Sequence, residues 1–186
     1  MNASFNTSLS HKIIAGCIGA LALASGAYAA GDKTAYDHSR AASKTAYDAA
    51  NKQCGSLSGN AKDICQAEAK AVRVKSDAQA EADYKNTPKA REQATDDMAK
   101  ADYNVSKEKC DDLAGNPKDV CVKEAKATYD KVKIDAAASR KVSDVRHDAA
   151  ADKSDANYKV AAEKCDVMAG DAKSACMAQA KAAYNK

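Results

Sequence analysis

The chain has no tryptophan and one phenylalanine, Phe5, and its 186 residues include only two prolines and eight glycines. Large aromatic side chains dominate the filling of wide globular cores, so their scarcity excludes such a core. The large apolar residues that remain are few and scattered, among them Leu57, Ile64, Val72, Met98, Leu113, Ile134 and Met168. Alanine is the most abundant residue, and an alanine-lined seam between helices is what this composition can build. Charge of one sign does not accumulate either. Lys and Arg number 29 against 26 Asp and Glu, a net charge of +3, with the signs interleaved. A nucleic-acid-binding chain carries a basic stripe, whereas interleaved charge belongs to solvated helix faces. Nucleic acid is therefore not an expected partner. The chain also lacks a glycine-rich phosphate loop, a nucleophile elbow and a His-Glu-x-x-His pattern. Histidine is limited to His11, His38 and His147. No catalytic residue and no cofactor are expected, and the chain reads as a non-enzyme.

The one long apolar run is N-terminal. Lys12 precedes Ile13 to Ala24, and Ala27-Tyr28-Ala29 follows with small residues where a signal peptidase reads them. A bilayer span needs about 20 apolar residues, so this run predicts a secretory signal over 1–29 and a mature chain starting at Ala30. No stable membrane insertion is expected after cleavage. Ile14-Ala15-Gly16-Cys17 has the look of a lipobox, but most of the apolar run follows Cys17 instead of preceding it. Cleavage removes Cys17 and leaves six cysteines, an even number that favours disulfides in an oxidising compartment. The expected location is the periplasm.

Those six cysteines fall in three pairs of one spacing: Cys54 and Cys65, Cys110 and Cys121, Cys165 and Cys176. Cys110 lies 56 residues after Cys54, and Cys165 lies 55 after Cys110. The flanks repeat as well. Tyr47, Tyr103 and Tyr158 stand seven residues before each first cysteine, and Ala69-Lys70-Ala71, Ala125-Lys126-Ala127 and Ala180-Lys181-Ala182 follow each second one. This is an internal repeat. Each insert between cysteines reads as a helix stop followed by a helix start. Gly59, Gly115 and Gly170 fit the left-handed position past a helix end. Asn60, Asn116 and Asp171 are placed as N-caps, and Pro117 as the first helical residue. The two cysteines of a pair then stand at nearly the same height on opposed helices, five residues before the glycine and six after it. The expected fold is all-α, three antiparallel helical hairpins in tandem, each stapled by one disulfide: repeat 1 over 30–86, repeat 2 over 87–142 and repeat 3 over 143–186. Closing each loop stabilises by about 2.8 kcal/mol in the chain-entropy model.

Between repeats, Thr87-Pro88 is an N-cap followed by a first-turn proline, so a helix ends near Asn86 and another begins. The matching Ser143-Asp144 has no proline, and there the helix either breaks or runs through. Thr34-Ala35-Tyr36-Asp37 returns as Thr45-Ala46-Tyr47-Asp48, an eleven-residue period that sets the two tyrosines on nearly one helix face.

Cys-x-x-Leu-x-Gly-Asn-x-Lys-Asp-x-Cys followed by Glu-Ala-Lys-Ala, at Cys54 to Ala71 and Cys110 to Ala127, resembles small Ala/Lys-rich helical periplasmic proteins of proteobacteria labelled TolA-like cell-envelope proteins. The third copy departs at Asp171, Ser174 and Gln179. The resemblance implies envelope residence and transfers no catalytic residues. Three functions follow from the sequence. The first is a structural or interaction protein of the envelope, with an envelope protein or peptidoglycan as partner. The second is a stress-protectant or chaperone-like helical protein. The third is metal or redox handling through the cysteine pairs. Zinc sites favour two to four residues between cysteines, so the ten-residue spacing points to structural disulfides and no metal ligand is assigned.

Overall fold

The computed structural model describes residues 31–186, which are helical throughout apart from turns. The expected export signal lies outside them. Five helices follow in order: α1 Lys33–Cys54, α2 Gly59–Lys85, α3 Pro88–Cys110, α4 Gly115–Cys165 and α5 Gly170–Tyr184. No strand occurs among the described residues. The run of alanine, lysine, glutamate and glutamine explains the helices, because these residues lose little freedom in that conformation. Lysines sit in the last turns of all five, where a positive charge meets the helix dipole.

Among the described residues each helix touches only its neighbours in chain order: α1 with α2, α2 with α3, α3 with α4, and α4 with α5. The helices therefore lie as a ribbon one layer thick and enclose no common centre. Burial follows. Among the described residues the buried ones are eight alanines, together with Cys54, Cys110, Cys165 and Ser43. Among the described residues the one cluster of buried apolar residues is Ala78 and Ala82 of α2 against Ala94 of α3, with Met98 packed on it. Small side chains let the helices approach closely, but each such contact buries little apolar area.

Two junctions shape the ribbon. At the first, α2 ends on Asn86 in the left-handed conformation, with φ 45°. The Thr87 hydroxyl then accepts from the Ala90 N–H at 3.1 Å, and Pro88 opens α3. This is the break that Thr87-Pro88 predicts, and it folds α3 back along α2. At the second junction there is no break. α4 runs through Ser143 for 51 residues, about 76 Å at 1.5 Å per residue. Its first half lies on α3 and its end on α5. Between these, all nine residues from Val145 to Lys153 are exposed, so a bare length of helix joins the two parts.

The turns differ from expectation in register. α1, α3 and α4 stop at Cys54, Cys110 and Cys165, not at the glycines. Each then tightens into bonds of the 3₁₀ kind, such as Leu57 N–H to Cys54 C=O at 3.1 Å and Leu113 N–H to Cys110 C=O at 3.0 Å. Gly59, Gly115 and Gly170 do adopt left-handed φ, at 56°, 59° and 57°. However, they are the first residues of the following helices, and the caps are Ser58, Ala114 and Ala169. Asn60, Asn116 and Asp171 consequently stand inside the first turn, and Pro117 one residue beyond them. The shift arises because four residues, not one, are needed to reverse the chain while the cysteines stay level.

Candidate functional site

The three cysteine pairs are disulfide-bonded within repeats: Cys54–Cys65, Cys110–Cys121 and Cys165–Cys176, with Cα–Cα distances of 5.6, 5.7 and 5.7 Å. These separations fall in the ordinary disulfide range. The first cysteine of each pair is fully enclosed and the second is half-buried. Such bonds persist in oxidising compartments, so they fit an extracytoplasmic protein. No described helix is long and apolar enough to cross a membrane. Beyond each staple the turn carries a large apolar residue, Leu57, Leu113 or Met168, each more than two-fifths exposed.

In the first two repeats, the tyrosine seven residues before the first cysteine meets the helix that follows. In the second repeat, Tyr103 stacks on Tyr129 with ring centroids 5.9 Å apart. In the first, Arg73 takes the place of that second ring and sets its guanidinium 5.3 Å over Tyr47. Tyr36 stacks on Tyr84 at 5.0 Å, closing the open end beside the bond from Gly31 N–H to Tyr84 C=O at 2.8 Å. Tyr36 and Tyr47 thus both face α2, as their eleven-residue spacing requires.

The sequence did not disclose the polar chemistry around these rings. Ser43 is buried in the α1–α2 seam, and its hydroxyl donates to Asp77 Oδ1 at 2.5 Å. Arg40 and Arg73 flank the same carboxylate at 3.6 Å each. Tyr129 donates to Asp96 at 2.9 Å, and this bond to an anion, aided by partial burial, raises its phenol above the usual range. Bonding to Lys85 and then to Tyr36 holds Glu81 below the usual carboxylate range. Asn60, expected as a cap, instead reaches the next repeat, donating to Glu108 C=O at 3.0 Å and Asp112 Oδ1 at 2.7 Å. Among the described residues no three His, Cys, Asp or Glu side chains converge as a metal site. His38 stands on α1 and His147 on the bare length of α4, two helices that do not touch. The distinctive feature is surface: exposed apolar turns, and one long helix with an uncovered face. Comparison with protein-family models, with curated proteins and with solved structures returned no match.

Proposed function

We propose that this chain is a non-enzymatic periplasmic repeat protein with a structural or interaction role in the cell envelope, built as three tandem antiparallel hairpins. The observation that carries this reading is the division between rigidity and surface. Three covalent staples fix the hairpins, while among the described residues only alanines, three bridged cysteines and one serine are buried. A chain that invests in length, stapled ends and exposed helix is suited to spanning and contacting. The resemblance of its Cys54 to Ala71 and Cys110 to Ala127 motifs to TolA-like envelope proteins supports the same location. An envelope protein or peptidoglycan is the proposed partner. A protectant that is disordered in water and gains helix on drying fits less well, because three disulfides already constrain the hydrated chain. The test is cell fractionation with chemical crosslinking in intact cells. The reading predicts a signal-cleaved, fully oxidised protein recovered in crosslinked envelope complexes. Recovery wholly free in the periplasm, with no captured partner, contradicts it.

A further inference from the structure

The second junction leaves an apolar helix face without cover, and the repeat itself indicates what covers it. On α2, Ala71, Ala78 and Ala82 share one face and are buried; Ala78 and Ala82 pack against Ala94 and Met98 of α3. One repeat later the same positions are Ala127, Ile134 and Ala138 of α4, and all three are exposed, Ile134 to 66%. The face continues along α4 through Val145, Ala149 and Val160, with Val145 at 67% and Val160 at 56% exposed. Ala127, Ala138, Ala149 and Val160 recur every eleven residues, a period that holds one side of a nearly straight helix. The first half of this face repeats the α2 side of the α2–α3 contact. Its second half repeats the α3 side, since Ala149 and Val160 match Ala94 and Val105 of the preceding repeat. Because α4 does not fold back at Ser143, its two halves cannot meet within one chain.

We propose that they meet between chains: two copies pair antiparallel along α4, each copy's first half against the other's second half. The contact that α2 and α3 make within the chain is thereby rebuilt in trans, as in a domain swap across an opened hinge. Charge fixes the register. Glu68 of α2 pairs with Lys109 of α3 at 2.7 Å, and Lys75 with Asp102 at 2.5 Å, so seven residues up one helix match seven down the other. The repeat counterparts of Glu68 and Lys109 are Glu124 and Lys164, which form no ion pair with the described residues of their own chain. Opposing Glu124 to Lys164 of the second copy also opposes Asp135 to its Lys153, eleven residues along. In that register the two-fold axis passes α4 at Asp144. Val142 of each copy then lies beside Val145 of the other, both exposed in the single chain. The resulting ribbon runs α1 to α3, then the first half of α4, then the second copy's α4 and α5, so all three hairpin types lie side by side. This assembly is independent of the envelope role: a dimer can form without an envelope partner, and a monomer can have one.

Sedimentation equilibrium of the oxidised chain tests it. The pairing predicts twice the chain mass at micromolar concentration. I134E/V145E should give the single-chain mass with helix content unchanged by circular dichroism. E124K sets two like-charge pairs in the dimer and should weaken it about tenfold, and E124K/K164E should restore it. The charge exchange leaves the apolar face untouched, so it decides the matter if I134E/V145E loses helix. A single-chain mass at every concentration, a dimer indifferent to I134E/V145E in folded protein, or a charge exchange that fails to restore association overturns the pairing.

Discussion

Asn86-Thr87-Pro88 and Val142-Ser143-Asp144 occupy the same place in successive repeats and do opposite things. The first turns the chain back on itself; the second lets one helix continue for about another 30 Å. Three residues account for the difference. Asn tolerates the left-handed conformation that ends α2, whereas a β-branched Val does not. Thr87 caps the next helix. Pro88 removes an N–H and disfavours helix at the residue before it, while Asp144 keeps its N–H and accepts from Arg140 at 2.5 Å, a bond one turn apart on the same helix. The consequence is long-range. Where the chain turns back, Ala71, Ala78 and Ala82 of α2 are buried; where it runs on, their counterparts Ala127, Ile134 and Ala138 are exposed.

The largest expected effect comes from exchanging the junction chemistry. D144P places proline inside α4, where the lost bond and ring clash cost about 3 kcal/mol or more. P88D should cost well under that, because Pro88 stands in a first turn whose N–H groups are unpaired anyway. Urea unfolding of both variants checks the contrast, and equal losses would break the comparison.

The staples come next. Each bridge contributes about 2.8 kcal/mol by loop closure, but the hairpins are unequally supported. Hairpin 1 leans on α3, whereas α5 touches only α4. C165A/C176A should therefore unfold the α5 region at temperatures where C54A/C65A leaves hairpin 1 helical. Hydrogen exchange resolved by peptide distinguishes the two, and matched protection in both variants would contradict the account.

Smaller effects attach to the turns and rings. G59A, G115A and G170A each meet open space but require left-handed φ, so each should destabilise by about 1–2 kcal/mol in thermal unfolding, with no one turn exempt. Tyr129 supplies a pH dependence. Its folded pKa is raised, so the stability its protonated form gives is complete below the ordinary value of 10.0 and lost as pH climbs through the higher folded value. An absorbance titration should show a tyrosine ionising late in the native protein and missing in Y129F.

Much of this was legible in the sequence because glycine, proline and cysteine mark backbone events directly. The paired cysteines, the left-handed Gly59, Gly115 and Gly170, and the break at Thr87-Pro88 all carry local signals. What escaped depends on neighbours distant in sequence. Asn60 looks like a cap, and only the approach of Glu108 and Asp112 redirects it. Ser143-Asp144 suits a helix start and a helix interior alike, so the sequence left both open. Ile134 and Ala138 read as ordinary seam residues until the missing α3-like neighbour is seen. The buried Ser43–Asp77 bond gave no periodic sign, since one serine among alanines does not disturb the pattern.

The central claim is that α4 passes unbroken through the second junction. A distance measurement between spin labels on non-cysteine side chains at Val120 and Val160, in labelled chain diluted with excess unlabelled chain, tests it most directly. Forty residues of continuous helix predict a single separation of about 60 Å. A separation on the order of 10 Å, the spacing of two packed helices, would mean that the chain folds back at Ser143 as it does at Thr87, and would contradict the account.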